Sequence, residues 1–325
     1  MENPPVLTFR VMPDSNPPTN IHVIIGRNNV GKTYLIKNII KSIYLDSPNN
    51  EFGILKSSNS LTGRLNAANG RNQAFANVLC VSFSPFDNYE DIITIAKRKS
   101  MPFNHIGLTA GDLNEILTRD FAQSLIQCQK SEYKISLLKK AIEILETDPI
   151  FERSNIKPLI IISRDDRDDV QKEEAIKLFK RLSSGHQVII LTLTRLVECI
   201  TEKSLVILDE PENHLHPPLL AAFVRALSEL LIDRNGVAVI ATHSPVILQE
   251  VPRSCVWKIN RIGNEVAISR LEIESFGATI GALTREVFGL EVTKSGFHKM
   301  LEDEVSKGKS YGEIIESFNN ELGDE

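Results

Sequence analysis

One eight-residue run decides more about this chain than any other: Gly26-Arg-Asn-Asn-Val-Gly31-Lys32-Thr33, which fits G-x-x-x-x-G-K-[ST] at every position. It follows the apolar run Ile21–Ile25. It opens a stretch in which Leu35, Ile36, Ile39, Ile40 and Ile43 recur at helical spacing. A strand, a glycine-rich turn and a helix in that order aim successive backbone N–H groups at an anion held on the helix N-terminus. Gly26 and Gly31 let the backbone close around phosphates, with Asn28 and Asn29 in the turn between them. Lys32 supplies a point charge to the β and γ oxygens, and Thr33 offers a hydroxyl to Mg²⁺. The chemistry expected here is binding of a nucleoside triphosphate.

A second feature fits the first. Leu205-Val-Ile-Leu208-Asp209-Glu210 reads as a buried strand that ends in adjacent carboxylates. Asp209 at that place can hold Mg²⁺ through water, and Glu210 can take a proton from an attacking water. Ala241-Thr-His243-Ser-Pro245 ends the next strand with a histidine. Upstream, Leu182-Ser183-Ser184-Gly185-His186-Gln187 has two readings. Either serine can cap a helix beginning near Gly185, and a capped helix N-terminus is also an anion site. His214 and His216 have metal-ligand chemistry, but no Cys or His cluster near them supports a zinc site.

The rest of the chain supplies a frame. Residues 6–12 alternate loosely and read as a strand, and 13–20, with three prolines, as a turn. Residues 46–74 are rich in Gly, Asn and Ser and read as a mobile loop. A strand is expected at 78–82 and helical patterning from 88 to 150 and again at 170–182. A largely apolar segment runs from 187 to 200. A helix is expected over 217–232, a strand over 237–241, a hairpin over 256–260 and 265–270, and two or three helices after that. Cys80, Cys128, Cys199 and Cys255 lie far apart among apolar neighbours and read as reduced core residues. The net charge of −5 excludes a chain that is a polycation overall. No window approaches 18 uncharged apolar residues, and the first residues lack a charged and apolar leader. A soluble, cytoplasmic protein with no membrane contact is expected.

Taken in order, Gly26–Thr33, Ser183–Gln187, Asp209–Glu210 and His243 resemble the ATP-binding-cassette ATPases. Asn28-Asn29 and the run Glu212-Asn-His-Leu-His-Pro217 resemble the RecF/SMC-related branch, and within it the small bacterial anti-phage defence ATPases of the PtuA-like kind. The likeness covers residues 1–83 and about 170–290, including Glu274-Ser-Phe-Gly277 through Val287-Phe-Gly-Leu290. It implies an α/β P-loop NTPase fold: a cassette-type lobe with a mixed sheet, a helical insertion and a helical C-terminal tail. The expected division is 1–83 (first part of the nucleotide-binding lobe), 84–169 (helical insertion), 170–270 (second part of the lobe) and 271–325 (tail).

The resemblance also implies the chemistry. ATP and Mg²⁺ would be held by Gly26, Asn28, Asn29, Gly31, Lys32 and Thr33, with Thr33 and Asp209 on the metal. Glu210 would be the base and His243 the switch residue on the γ-phosphate. Ser183, Gly185 and Gln187 would cover the γ-phosphate bound by a second copy, so that ATP joins a head-to-tail homodimer. Ser184 stands where the family has glycine. The family's glutamine after the strand at 78–82 is missing, and Ser84 or Asp87 is expected to do its work. The cycle would control a separately encoded effector, a nuclease in phage defence. The alternative is a DNA-binding repair or maintenance ATPase, with Lys97-Arg98-Lys99 and the basic side of 172–181 on phosphates.

Overall fold

The computed structural model describes residues 6–45, 52–56, 74–84, 89–107, 113–160, 168–262, 265–292 and 296–322. Among these, strands β1 (Ile21–Ile25), β2 (Asn77–Ser82), β3 (Phe103–Gly107), β4 (Ser204–Asp209), β5 (Val237–Thr242), β6 (Val256–Ile262) and β7 (Glu265–Ser269) form one sheet. Its order is β3-β2-β4-β5-β1-β6-β7. Every neighbouring pair is parallel except β6 with β7, which is antiparallel and makes the sheet mixed.

β1, β2 and β4 are buried along their whole length. That is why they read as continuous apolar runs: a parallel strand covered on both faces has no solvent side for polar residues. Alternation nevertheless sorts their side chains into two cores. Ile21, Val23, Ile25, Leu79, Val81, Val206 and Leu208 face one layer. Ile24, Val78, Cys80, Leu205 and Ile207 face the other. The second layer is completed by α1 (Lys32–Tyr44) and α2 (Glu90–Ala96). The first is completed by α3 (Leu113–Gln129), α4 (Glu132–Leu145), α5 (Pro149–Glu152), α6 (Asp168–Phe179), α7 (Ser184–Cys199), α8 (Pro217–Ile232) and α9 (Pro245–Leu248). α10 (Ile280–Val292), α11 (Phe297–Ser306) and α12 (Tyr311–Ser317) follow the hairpin.

Several expectations change. Residues 6–12 form no strand. The carbonyl of Thr8 accepts from the side chains of Trp257 (3.1 Å) and Arg270 (3.0 Å) instead of from a neighbouring strand. The segment 84–169 is not helical throughout, because β3 pairs with β2 at the sheet edge. The apolar segment 187–200 lies in helix α7. The basic side of α6 is mixed with acids, and Lys177 lies 3.9 Å from Glu173. The loop expected over 46–74 falls mostly outside the described residues, and Asp87 falls wholly outside them. Cys80, Cys128 and Cys255 are buried, Cys199 is half-buried, and none forms a disulfide. No described helix is long and apolar enough to cross a membrane.

The strand order fixes where chemistry can occur. β5 lies between β1 and β4, so the C-terminal ends of all three strands lie side by side. The chain leaves β1 through α1 towards β2 on one side of the sheet, while β6 flanks β1 on the other. Ligands of open α/β sheets bind outside the carboxyl ends of strands at such a reversal.

Candidate functional site

The turn after β1 is shaped by close packing. The Gly26 N–H donates to the Thr242 carbonyl (3.3 Å). A Cβ on Gly26 would stand 2.4 Å from the Ile259 carbonyl oxygen, so a larger residue would have to push β6 aside. Asn29 (φ 66°) and Gly31 (φ 101°) then turn the chain through left-handed conformations into α1. Asn28 and Asn29 are exposed. Lys32, only 3% exposed, donates from Nζ to the carbonyls of Gly26 (3.0 Å) and Arg27 (2.8 Å). The ammonium is therefore folded back across the turn it follows.

The end of β4 meets this turn. Thr33 Oγ1 donates to Asp209 Oδ1 at 3.2 Å, and Lys32 Nζ lies 3.4 Å from Glu210 Oε1. Glu210 is itself left-handed (φ 48°, ψ 57°), held by its N–H to the Ala241 carbonyl (2.9 Å) and by Asn213 Nδ2 on Oε2 (3.4 Å). That bend turns the carboxylate away from the β4 axis towards the end of β5. There His243 Nδ1 lies 3.7 Å from Glu210 Oε1 and 3.1 Å from Glu212 Oε1. The His243 imidazole, with Lys32 and the Asn213 amide, holds the Glu210 carboxyl down at about 2, against the opposing effect of burial. The reciprocal effect raises His243 above the ordinary histidine value, chiefly through Glu210 and further through Glu212.

Two residues here escaped the sequence reading. Glu212 Oε1 accepts from the His243 backbone N–H (2.7 Å) and the Thr242 hydroxyl (2.5 Å), which fixes the end of β5 beside the end of β4. In the sequence it stood out only as the first residue of the run Glu212-Asn-His-Leu-His-Pro217, with no role of its own. Tyr89, at the start of α2 and 2% exposed, donates its hydroxyl to Asp209 Oδ2 at 3.1 Å. It carries no motif signal at all. Ser84 is half-buried.

Ser183–Gln187 is organised separately. Ser183 Oγ caps α7 by accepting from the His186 N–H (3.4 Å), as the capping reading expected. Ser183 and Ser184 are exposed at the helix start. Gln187 Nε2 donates to the Phe179 carbonyl (2.9 Å), which fastens α7 to the end of α6. A Cβ on Gly185 would lie 2.6 Å from the His214 carbonyl oxygen, so only glycine lets α7 approach the turn that follows Glu210 so closely. His186 packs its ring edge-on against Phe151 (5.1 Å). His216 Nε2 lies 2.7 Å from Asp148 Oδ2, so this histidine is engaged by a carboxylate; no His/Cys/Asp/Glu group fit for a metal occurs among the described residues.

Thr33 and Asp209 are hard oxygen donors within hydrogen-bonding distance of each other, a pairing that fits Mg²⁺ better than a softer metal. Lys32, backed by the exposed backbone of 27–29, suits a polyphosphate.

Comparison with known proteins agrees with this geometry. Residues 117–249 match the family described as "AAA domain, putative AbiEii toxin, Type IV TA system". The matched span includes Ser183–Gln187, Asp209–Glu210 and His243, and leaves the turn at 26–33 upstream. The chain is 40% identical over 342 aligned positions to "Protein ea59" of Escherichia phage lambda. The alignment covers 98% of this chain and 63% of that relative's length, so the chain spans less than two thirds of it. With the phosphate turn after β1 and the paired carboxylates after β4, the chain has the α/β fold of a P-loop NTPase with a mixed sheet, and its residues 117–249 are similar to that AAA family.

Proposed function

We propose that this chain hydrolyses ATP, with Mg²⁺, at composite sites shared by two copies of itself, in the manner of the cassette ATPases. The observation that carries the reading is the convergence of Lys32, Thr33, Asp209, Glu210 and His243 at the carboxyl-terminal ends of the interior strands β1, β4 and β5. Gly26–Thr33 would wrap the β and γ phosphates. Thr33 and Asp209 would hold Mg²⁺, which when bound neutralises charge on the phosphate oxygens.

Glu210 supports the role of base in a particular way. Its carboxylate is held far below basicity useful at neutral pH by His243 and Lys32. A γ-phosphate arriving at the loop competes for the Lys32 ammonium and for the His243 N–H groups. Each cation drawn towards phosphate releases its hold, so Glu210 becomes more basic as substrate binds. His243, raised above its ordinary value, favours the donor form suited to a phosphate oxygen.

Ser183, Ser184 and Gly185 stand at the start of α7, where a γ-phosphate held by a second copy would meet a capped helix N-terminus. Gln187 serves this arrangement by fixing α7 to Phe179. We infer further that the dimer regulates a separately encoded effector, a nuclease in anti-phage defence. The toxin–antitoxin setting of the matched family supports a separately encoded partner.

The test is the solution mass of Glu210→Gln by light scattering, with and without ATP–Mg²⁺. Dimer only with ATP is expected. A monomer under both conditions would remove the composite site, and wild-type turnover by the same variant would remove Glu210 as the base.

A further inference from the structure

The structure assigns Tyr89 as the residue that positions the carboxylate of Asp209. This inference rests on Asp209 being the Mg²⁺ ligand.

The juxtaposition follows from topology. β2 runs parallel beside β4 with Ser82 opposite Asp209, so the chain leaving β2 starts at the carboxylate. Tyr89, the residue before α2, stands at the same carboxylate. α2 is pinned to α1 by Lys41 Nζ on Asp91 Oδ2 at 2.7 Å, which sets the height at which Tyr89 enters the site. The phenol ring is packed from two elements. Lys37 of α1 places its ammonium 4.7 Å from the ring centroid, and His105 of β3 lies tilted against it at 5.1 Å. A 2%-exposed ring held between a cation and an imidazole has little freedom to swing.

The consequence lies at Asp209. Its Oδ1 accepts from Thr33, and its Oδ2 accepts from Tyr89. Both carboxylate oxygens are therefore addressed by a hydroxyl from a different element, and rotation about the Cβ–Cγ bond is opposed from both sides. Thr33 is itself a candidate ligand for the cation. Tyr89 lies on the other oxygen, Oδ2, so its bond would not compete with Oδ1 and Thr33 for a metal they would hold. A partner of this kind orients a ligand and adjusts its donor strength without touching the metal.

The test uses the full chain and three proteins: wild type, Tyr89→Phe and Asp209→Asn. A fluorescent ATP analogue is bound across a Mg²⁺ titration, with parallel measurements in chelator and by thermal melting. Tyr89→Phe keeps the ring and removes only the hydroxyl. The expected result is a Mg²⁺ midpoint about tenfold higher, with nucleotide affinity in chelator unchanged. An unmoved midpoint overturns the assignment, and so does a lower melting temperature with an unmoved midpoint, which is what a merely structural hydrogen bond would give. Asp209→Asn must shift the midpoint at least as far. If it does and Tyr89→Phe does not, only the role of Tyr89 falls. If Asp209→Asn leaves the midpoint unmoved, the Mg²⁺ reading itself falls and takes this inference with it. Should Tyr89→Phe prove unstable, 3-fluorotyrosine at position 89 gives a second readout. Its ¹⁹F resonance is expected to move when Mg²⁺ is added to the nucleotide complex, and a static resonance would be equally fatal.

Discussion

Glu210 and His243 are best understood as one titrating pair. Each is the leading influence on the other: His243 holds the Glu210 carboxyl down at about 2, and Glu210 raises His243. Removing the carboxylate charge while keeping the side-chain shape should therefore lower the His243 pKa. The fall should carry it to or below the ordinary value, because burial and Lys32 then outweigh Glu212, which remains 3.1 Å from Nδ1. A ¹³C or ¹⁵N histidine titration of Glu210→Gln by NMR checks this. A His243 pKa equal to that of wild type would mean that Glu212 alone sets it. At this scale the sequence was most readable where a residue carries its own chemistry at a fixed spacing. Gly26, Lys32, Thr33, Asp209, Glu210 and His243 all meet at the carboxyl-terminal ends of β1, β4 and β5. Glu212 and Tyr89 were not readable, because neither spacing nor residue type distinguishes a carboxylate or a phenol that acts by touching another side chain. Gln187 shows the converse: a residue in a recognisable segment whose amide is engaged by the carbonyl of Phe179.

Among elements, the readable ones were those whose burial pattern is simple. α8 begins at Pro217 with a proline in its first turn and buries an apolar stripe, so its limits agree with the sequence. β3 was hidden because Phe103-Asn-His-Ile-Gly mixes polar and apolar residues, as befits an edge strand that is only half-buried. Residues 6–12 had the alternation but pair with no strand among the described residues. The join between the helical layer and the nucleotide edge lay beyond sequence reasoning, because it depends on Asp148. This carboxylate, 3% exposed, caps α5 by accepting from Ile150 N (2.8 Å) and Phe151 N (3.3 Å), while its other oxygen meets His216 at the start of α8. Asp148→Ala removes both the cap and the pairing and should cost about 2–3 kcal/mol. Asp148→Asn keeps a good cap and should cost roughly 1 kcal/mol. Urea unfolding with an unchanged m-value measures both. Equal losses would show that the contact with His216, not the cap, carries the stability of this join.

For the molecule as a whole, the two apolar layers share one sheet, so a charge placed in either layer is felt by global stability. His22 is such a place. Alternation along β1 puts it on the same face as Ile24, fully buried, with its ring edge-on to Phe9 at 5.3 Å. Neither ring nitrogen has a hydrogen-bond partner among the described residues. Burial, with a smaller contribution from Arg270, lowers its pKa to about 4. The unfolded chain takes up this proton near pH 6.5, whereas the folded chain refuses it until about pH 4. Between those values the unfolded state binds more protons, so stability falls as pH falls. The penalty is absent above about pH 6.5, reaches about 2 kcal/mol at pH 5 and levels off near 3 kcal/mol below pH 4. His22→Phe keeps an aromatic ring against Phe9 and removes the titration. Its unfolding free energy should lie close to that of wild type at pH 7.5 and exceed it by about 2 kcal/mol at pH 5. Urea titrations of both proteins at the two pH values decide the matter. Parallel losses on acidification would mean that a proton reaches His22 in the folded state, and that the layer between β1 and α1 admits water the packing does not suggest.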